Sequence, residues 1–392
     1  EGEDTRKGIC GATPNTIAAR NFIRMIAGGA AAHSDHGRSV AEVFMSAARK
    51  ETDAYKIKDT RKLLEVAQWL GVDTTVEVDG KQLDRDIDEI AVEVGEKALN
   101  EWGKAEGELL FAKRAPEARY DIWKKQGVVP RNIDREIVEI MHRTHIGVDQ
   151  DYKNLMKQGT RAAIADGWGG SMLATDLQDI LFGTPYPVAS EANLGVMKED
   201  MVNIVIHGHE PVLSEMIVAV AQTKEMEDDA KSKGAKGIQL SGICCTANEM
   251  LQRHGVPLCG TFLQQELAII TGACDAMVVD IQCIFQNLAN VAICFHNKLI
   301  TTHPIARMEQ ENVLHIDFDE HPDQEDAKRI VKLAIDNFKN RGSEVMIPKQ
   351  KSPIVAGFGV ESIEYHLGGT FRGSYYTLND NIINGRIRGI GG

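Results

Sequence analysis

From about residue 200 the chain alternates short Val- and Ile-rich runs with helix-like stretches, and this alternation narrows the folds open to it more than any other feature. "MVNIVIHGHE", "GIQLSGICC", "AMVVDIQC", "KLITTH" and "VLHIDFD" read as strands. "PVLSEMIVAVAQTKEMEDDAKSKG" and "NEMLQRHG" read as helices between the earlier ones. Apolar runs too short for helices, separated by helical patterns, mark βαβ units around a parallel sheet. The amphipathic stretch "DQEDAKRIVKLAIDNFKNRG" (323–342) closes this domain. A strand–turn–helix then starts at "SPIVAGFGVESIEYHLGG" and reads as the beginning of a second α/β domain.

The preceding half has a helical period instead. "TPNTIAARNFIRMIAGG" predicts a helix capped by Thr13, with Pro14 in its first position and Ile17, Phe22, Met25 and Ile26 on its inner side. The same spacing recurs in "KIKDTRKLLEVAQWLGV", "DIDEIAVEVGEKALNEWG" and "NIDREIVEIMHRTH". The sequence therefore predicts an α/β multidomain chain: a helical domain over 1–195, a parallel α/β domain over 196–350, and the start of a second α/β domain over 351–392.

A formal net charge of −13 with no long basic block argues against nucleic acid as a partner. No apolar run approaches the roughly 20 residues of a membrane span. Of the seven cysteines, six fall between Cys244 and Cys294. An odd count in a large chain without a visible export signal predicts reduced thiols and a cytoplasmic protein. Reduced, clustered cysteines are either buried small hydrophobes or metal ligands.

Three predicted strand ends carry soft donors. His209 closes "NIVIHGH", Cys245 closes "GIQLSGICC" and Cys283 closes "AMVVDIQC", each about one βα repeat from the next. In a parallel sheet the carboxyl ends of neighbouring strands share one edge, so the three would face one crevice. Imidazole with thiolate suits Zn, Ni, Cu or iron–sulfur and does not suit Mg or Ca. Inert core cysteines and a histidine bonded to a loop carbonyl are the alternative. Cys244 and Cys245, being adjacent, are a poor disulfide pair.

Elsewhere, "AGGAAAHSDHGR" (27–38) places His33 and His36 on one helical face among small residues that let another backbone approach. Histidines so placed can shuttle protons, or can be satisfied packing residues. His142 and His145 of "MHRTH" read as structural, and "GFGVES" is a weak match to a dinucleotide turn. Cys10 stands alone in "ICG".

Long strings then resemble one family. They are "ICGATPNTIAARNFIRMIAGGAAAHSDHGR", "EIMHRTHIGVDQDY", "ADGWGGSMLATDLQDILFGTP", "SEANLGV", "VIHGHEPVLSEM", "GICCTANEMLQRHGVPLCGTFLQQELAIITGACDAMVVDIQCIFQNLA" and "NIINGRIRGI". With them the chain resembles the catalytic subunit of anaerobic nickel–iron carbon monoxide dehydrogenase along essentially its whole length. The resemblance implies a helical domain followed by two Rossmann-like domains, and oxidation of CO with water to CO2, two protons and two electrons. It implies a nickel–iron–sulfur C-cluster, with His209 and Cys245 on the iron outside the core and Cys283 on a core iron. The second histidine of "HGH" is taken in preference to His207.

His33 would act as acid/base or hydrogen-bond donor, and His36 would begin a proton path. The family's histidine ladder is broken here by Ser39 and Glu42, so that exit would use Glu42 or water. Cys10 matches the last ligand of a [4Fe–4S] B-cluster. Its partners, and those of a bridging [4Fe–4S] D-cluster, would precede residue 1, while three more cluster cysteines and a lysine would follow Gly392. The chain is thus expected to be a fragment lacking both ends.

The implied partners are a ferredoxin-like electron acceptor, a hydrogenase or an acetyl-CoA synthase subunit, and a second copy in a homodimer. Any membrane attachment would come through partner proteins. Cys244, Cys259, Cys274 and Cys294 are left as packing thiols. The competing readings are a hybrid-cluster-type reductase of hydroxylamine or peroxide, and a metal-free sensor or binding homologue.

Overall fold

The computed structural model describes residues 6–318 and 324–389. The opening "EGEDT", the first residue of the helix expected at 323 and the closing "IGG" lie outside the described residues. The chain forms two compact units, Glu1–Gly183 and Thr184–Gly392.

The first unit is built on a 35-residue helix, α1 (Pro14–Ala48). Thr13 caps it, accepting the N–H of Thr16 at 3.2 Å, with Pro14 at the first position. The buried stripe is Ala19, Ile23, Ala27, Ala30, Ser34 and Gly37. Ile17, Phe22 and Met25 are instead exposed in this chain, at 45%, 50% and 74%. Ile26 does pack, partly buried, against the cluster of Ile23, Ala27 and Leu155, so the expected inner face is corrected for the other three: small residues recur at helical spacing, and neighbours pack closest over them. At Gly37 an added Cβ would meet the Gly170 carbonyl oxygen at 2.8 Å and Trp102 at 2.9 Å.

The unit's other helices are α2 (Thr60–Leu70), α3 (Ile87–Gly103), α4 (Glu117–Gln126), α5 (Ile133–Arg143), α6 (Tyr152–Ala165) and α7 (Met172–Phe182); α3, α5, α6 and α7 pack on α1, and α2 packs on α3 and α7. A short hairpin, β1 (Thr75–Val78) with β2 (Lys81–Asp84), turns at Asp79–Gly80, both left-handed. The helical reading missed it because its strands are only four residues long, mostly polar and almost wholly exposed, so the short alternation Val76, Val78 marks no buried face. His142 and His145 are exposed.

The second unit contains an eight-stranded sheet. In chain order its elements are β3 (Val188–Ala192), β4 (Val202–Gly208), α8 (Pro211–Ala221), α9 (Lys224–Ser232), β5 (Ile238–Ile243), α10 (Cys244–His254), β6 (Leu258–Gly260), α11 (Gln265–Ile270), β7 (Cys274–Val279), α12 (Leu288–Ile293), β8 (Lys298–Thr301), β9 (Leu314–His315), α13 (Gln324–Asn337), β10 (Ser352–Ala356), α14 (Val360–Leu367) and α15 (Tyr376–Ile383). The spatial order is β10-β3-β6-β5-β4-β7-β8-β9. All pairs are parallel except β10 with β3. Strand β4 sits centrally, and all seven of its residues are buried.

The first division falls at 183/184 rather than at 195/196, because β3 pairs within this sheet. Segment 351–392 contributes β10 to the same sheet edge, within the second unit. Cys259 and Cys274 lie in the core with Val205, Met277 and Leu288. Cys294, expected in the core, is exposed at the end of α12, where the apolar stripe of that short helix has already turned away.

At the amino end of β7, Asp275 is fully buried and receives Arg341 at 2.5 Å and His296 at 2.8 Å. Arg341 also donates to the Met201 and Glu199 carbonyls, joining the loops below the sheet. Breaking a buried ion pair strands its partner charge. Arg341→Ala is expected to lower the unfolding free energy by roughly 3 kcal/mol, at the low end for such pairs because His296 still serves Asp275. Urea denaturation measures this, and a loss near that of a surface pair, below about 1 kcal/mol, would refute the role given to the ion pair.

Candidate metal centre

The three central strands deliver their carboxyl ends in register. His207 of β4 pairs with Ile243 of β5 on one side and with Val279 of β7 on the other. Gly208 continues the contact as a bridge to Cys244. The next residues are His209 after β4, Cys244 and Cys245 opening α10, and Asp280 to Cys283 after β7. His209 and Cys245 thus stand just past neighbouring strand ends, whereas Cys283, expected to close its strand, lies in the left-handed turn beyond the end of β7.

Asp280 ties these ends together. Its carboxylate is buried and accepts the backbone N–H groups of His209 (2.6 Å) and Ile281, and the hydroxyl of Thr246 (3.0 Å). Burial raises its pKa to about 7, with the hydrogen bonds opposing that shift. Gly208, at φ 140°, leaves the room: a Cβ there would fall 1.7 Å from Asp280 Oδ1.

The two histidines of "HGH" separate cleanly. His207 is fully buried and donates from Nε2 to Gln265 Oε1 at 3.1 Å. Its pKa is lowered, chiefly by burial. His209 lies half-buried at the strand end. Cys245 and Cys283 are exposed, and Cys244 is half-buried. Cys244, Gln282 and Cys283 have left-handed backbones, at φ 65°, 64° and 58°. Each costs about 1–2 kcal/mol for a residue with a side chain, and such strain clusters at functional sites.

Charge is the main electrostatic property of this edge. Burial first, then Cys283, Glu249 and Asp280, push the Cys245 thiol up. Burial, Cys283 and Cys245 push Cys244 up to about 12. Thiols this close are hard to ionise unless a cation compensates them, and a metal supplies that charge. Among the described residues no three His, Cys, Asp or Glu side chains converge on a single ion. A polynuclear cluster spreads its protein donors over several metal atoms, so they need not all converge on one point. The donor chemistry fits such a cluster.

The other candidate residues belong to the first unit. Cys10 is exposed in the turn before α1. His33 and His36 lie along α1. His33 Nδ1 donates to Asp166 Oδ1 at 2.9 Å, and His36 Nε2 meets the Gln178 amide at 3.3 Å. Asp166 opens a π-helical turn, Asp166–Ser171, between α6 and α7. Turns of this kind recur at functional sites. Asp166, Asp280 and Gly208 were not singled out from the sequence. The glycine-rich "DGWGGS" inside a helical pattern was the available signal for the first.

The helical unit followed by a mostly parallel α/β unit is a fold shared with solved carbon monoxide dehydrogenases. The nickel-free enzyme from Thermococcus sp. AM4 superposes with a TM-score of 0.90 at 49% identity, over 99% of this chain and 60% of that one. Carbon monoxide dehydrogenase 1 of Methanosarcina acetivorans is 49% identical over 391 residues, covering 100% of this chain and 60% of that protein. Its namesake in Carboxydothermus hydrogenoformans is 45% identical over 395 residues, covering 99% and 60%. Residues 2–392 match the model of the Prismane/CO dehydrogenase family, and the chain belongs to that family. It spans about three fifths of the length of these curated relatives.

The His33–Asp166 pair has a measurable signature. The hydrogen bond to Asp166 raises the His33 pKa above its ordinary 6.5, against opposing burial and the neighbouring His36. The stabilising contribution is therefore full below pH 6.5 and is lost as pH rises through the higher folded value. NMR titration should give His33 a midpoint above 6.5, and Asp166→Asn should move it down. A midpoint unchanged by that substitution would disprove the coupling.

Proposed function

We propose that this chain forms the catalytic part of an anaerobic carbon monoxide dehydrogenase, which converts CO and water to CO2, two protons and two electrons. The observation that supports the reading is the register of β5, β4 and β7, which brings the segments carrying His209, Cys245 and Cys283 to the same carboxyl end of the sheet. These residues are the proposed ligands of a nickel–iron–sulfur C-cluster. When bound, that group supplies a soft metal for CO and a Lewis-acidic iron that activates water. Cys10 is the proposed ligand of an electron-transferring [4Fe–4S] B-cluster, with a bridging D-cluster at the interface of a homodimer. Electrons would pass to a ferredoxin-like acceptor.

The chain's own residues have separate tasks. His33 would move the proton: with Nδ1–H held by Asp166, Nε2 is the nitrogen left to accept or donate one. His36 continues along the same helix towards Ser39, whose hydroxyl donates to the Asp35 carbonyl at 3.3 Å. Family membership and relatives named carbon monoxide dehydrogenases favour this reading over a hydroxylamine or peroxide reductase. Among the described residues no helix is long and apolar enough to cross a membrane.

The test is CO-dependent viologen reduction by the full-length gene product, purified without oxygen and supplied with nickel. Activity should be present and should fall at least about 100-fold in Cys245→Ala, beyond the usual effect of losing an outer partner of a ligand. A protein that binds iron without nickel and reduces no dye under CO would overturn the proposal.

A further inference from the structure

The turn that carries Cys283 contains two consecutive left-handed residues, Gln282 and Cys283, neither of them glycine. A six-residue excursion with that backbone does not hold itself, so something outside the turn must fix it. Its near end is fixed by Asp280, described above. Its far end is fixed by Gln265, the first residue of α11, whose side chain is fully buried.

The Gln265 carboxamide uses its whole hydrogen-bonding capacity. Nε2 donates to the Phe262 carbonyl at 2.6 Å and to the Cys283 carbonyl at 3.0 Å. Oε1 accepts the Phe285 N–H at 2.9 Å and His207 Nε2 at 3.1 Å. This arrangement sets the amide orientation and the histidine tautomer together. A flipped amide would face its NH2 to the Phe285 N–H and its oxygen to two carbonyls. His207 must then carry its proton on Nε2, because Oε1 has none to give. One buried amide thus holds the main chain on both sides of Ile284 and anchors it to the central strand β4.

We propose that Gln265, oriented by His207, is the positioning residue that presents the Cys283 thiol to the metal centre. This rests on the reading of Cys283 as a ligand. The carboxamide is required as such. A carboxylate at 265 would set an oxygen against the Cys283 and Phe262 carbonyls. An apolar chain of similar length would leave the Phe285 N–H unpaired and take the Gln265 donor from the Cys283 carbonyl. Outer partners that orient metal ligands typically change metal affinity by about 10–100-fold.

The experiment compares wild type, Cys283→Ala, Gln265→Met and Gln265→Glu in the full-length protein, prepared without oxygen. It reads iron and nickel per chain, the electron paramagnetic resonance signal of the centre and the cooperativity of thermal unfolding. The expected result is that Gln265→Met unfolds cooperatively while the centre's signal is shifted or lost and nickel is retained about 10–100-fold more weakly. A residue needed only for folding would leave the signal of the surviving folded molecules unchanged. If Gln265→Met does not fold, Gln265→Glu is read in the same way, since it keeps both acceptor contacts and replaces the two donors by an oxygen facing the Phe262 and Cys283 carbonyls. A wild-type signal in a folded Gln265 variant, with Cys283→Ala devoid of it, overturns the positioning role and leaves the ligand assignment standing. A wild-type signal and metal content in Cys283→Ala overturns the ligand assignment and this inference with it.

Discussion

Parallel pairing of β4 with β5 and β7 is the constraint from which the candidate centre follows. Parallel strands all point their carboxyl ends the same way, and in-register pairing brings those ends level. Residues separated by a full βα repeat then become neighbours. The segments that carry His209, Cys245 and Cys283 owe their shared end of the sheet to this pairing. The burial of every β4 residue makes the register hard to shift, since slipping one place would invert its side chains between two packed faces.

The turns beyond the strands are less self-sufficient. Cys244, Gln282 and Cys283 adopt a conformation that side-chain-bearing residues avoid. Their cost is offset by buried polar groups that grip main-chain atoms: Asp280 on the His209 and Ile281 amides, and Gln265 on the Cys283 and Phe285 main chain. Gly208 belongs to the same design, because only the missing side chain admits Asp280. The opposite end of the sheet is held by the Asp275–Arg341–His296 cluster. A buried ion-pair cluster thus stands at one end of the sheet and strained backbone at the other, where the candidate donors lie.

The helical unit follows a different rule. Its long α1 turns a stripe of small residues inward, so neighbouring backbones approach closely near His33 and His36. Widening of the helix at Asp166–Ser171 then brings a carboxylate to His33. The carboxylate fixes which imidazole nitrogen stays open, which is the property a proton carrier needs.

Much of this was legible beforehand. Val- and Ile-rich runs divided by helical patterns announced the parallel sheet, because period and length differ between strand and helix. His209, Cys245 and Cys283 could be read as strand-end donors for the same reason. The β1–β2 hairpin and the β3 and β6 strands were not legible. They are short or polar and draw their pairing from distant partners. Asp166, Asp280 and Gln265 were equally hidden, since a carboxylate or amide carries no mark of what it will bond once buried. Local periodicity determined the long helices and the apolar strands, and residue identity the donor inventory. Only the tertiary structure decided which donors stand together and which groups hold them, because hydrogen bonds between residues far apart in the chain exist only after the sheet has closed around them.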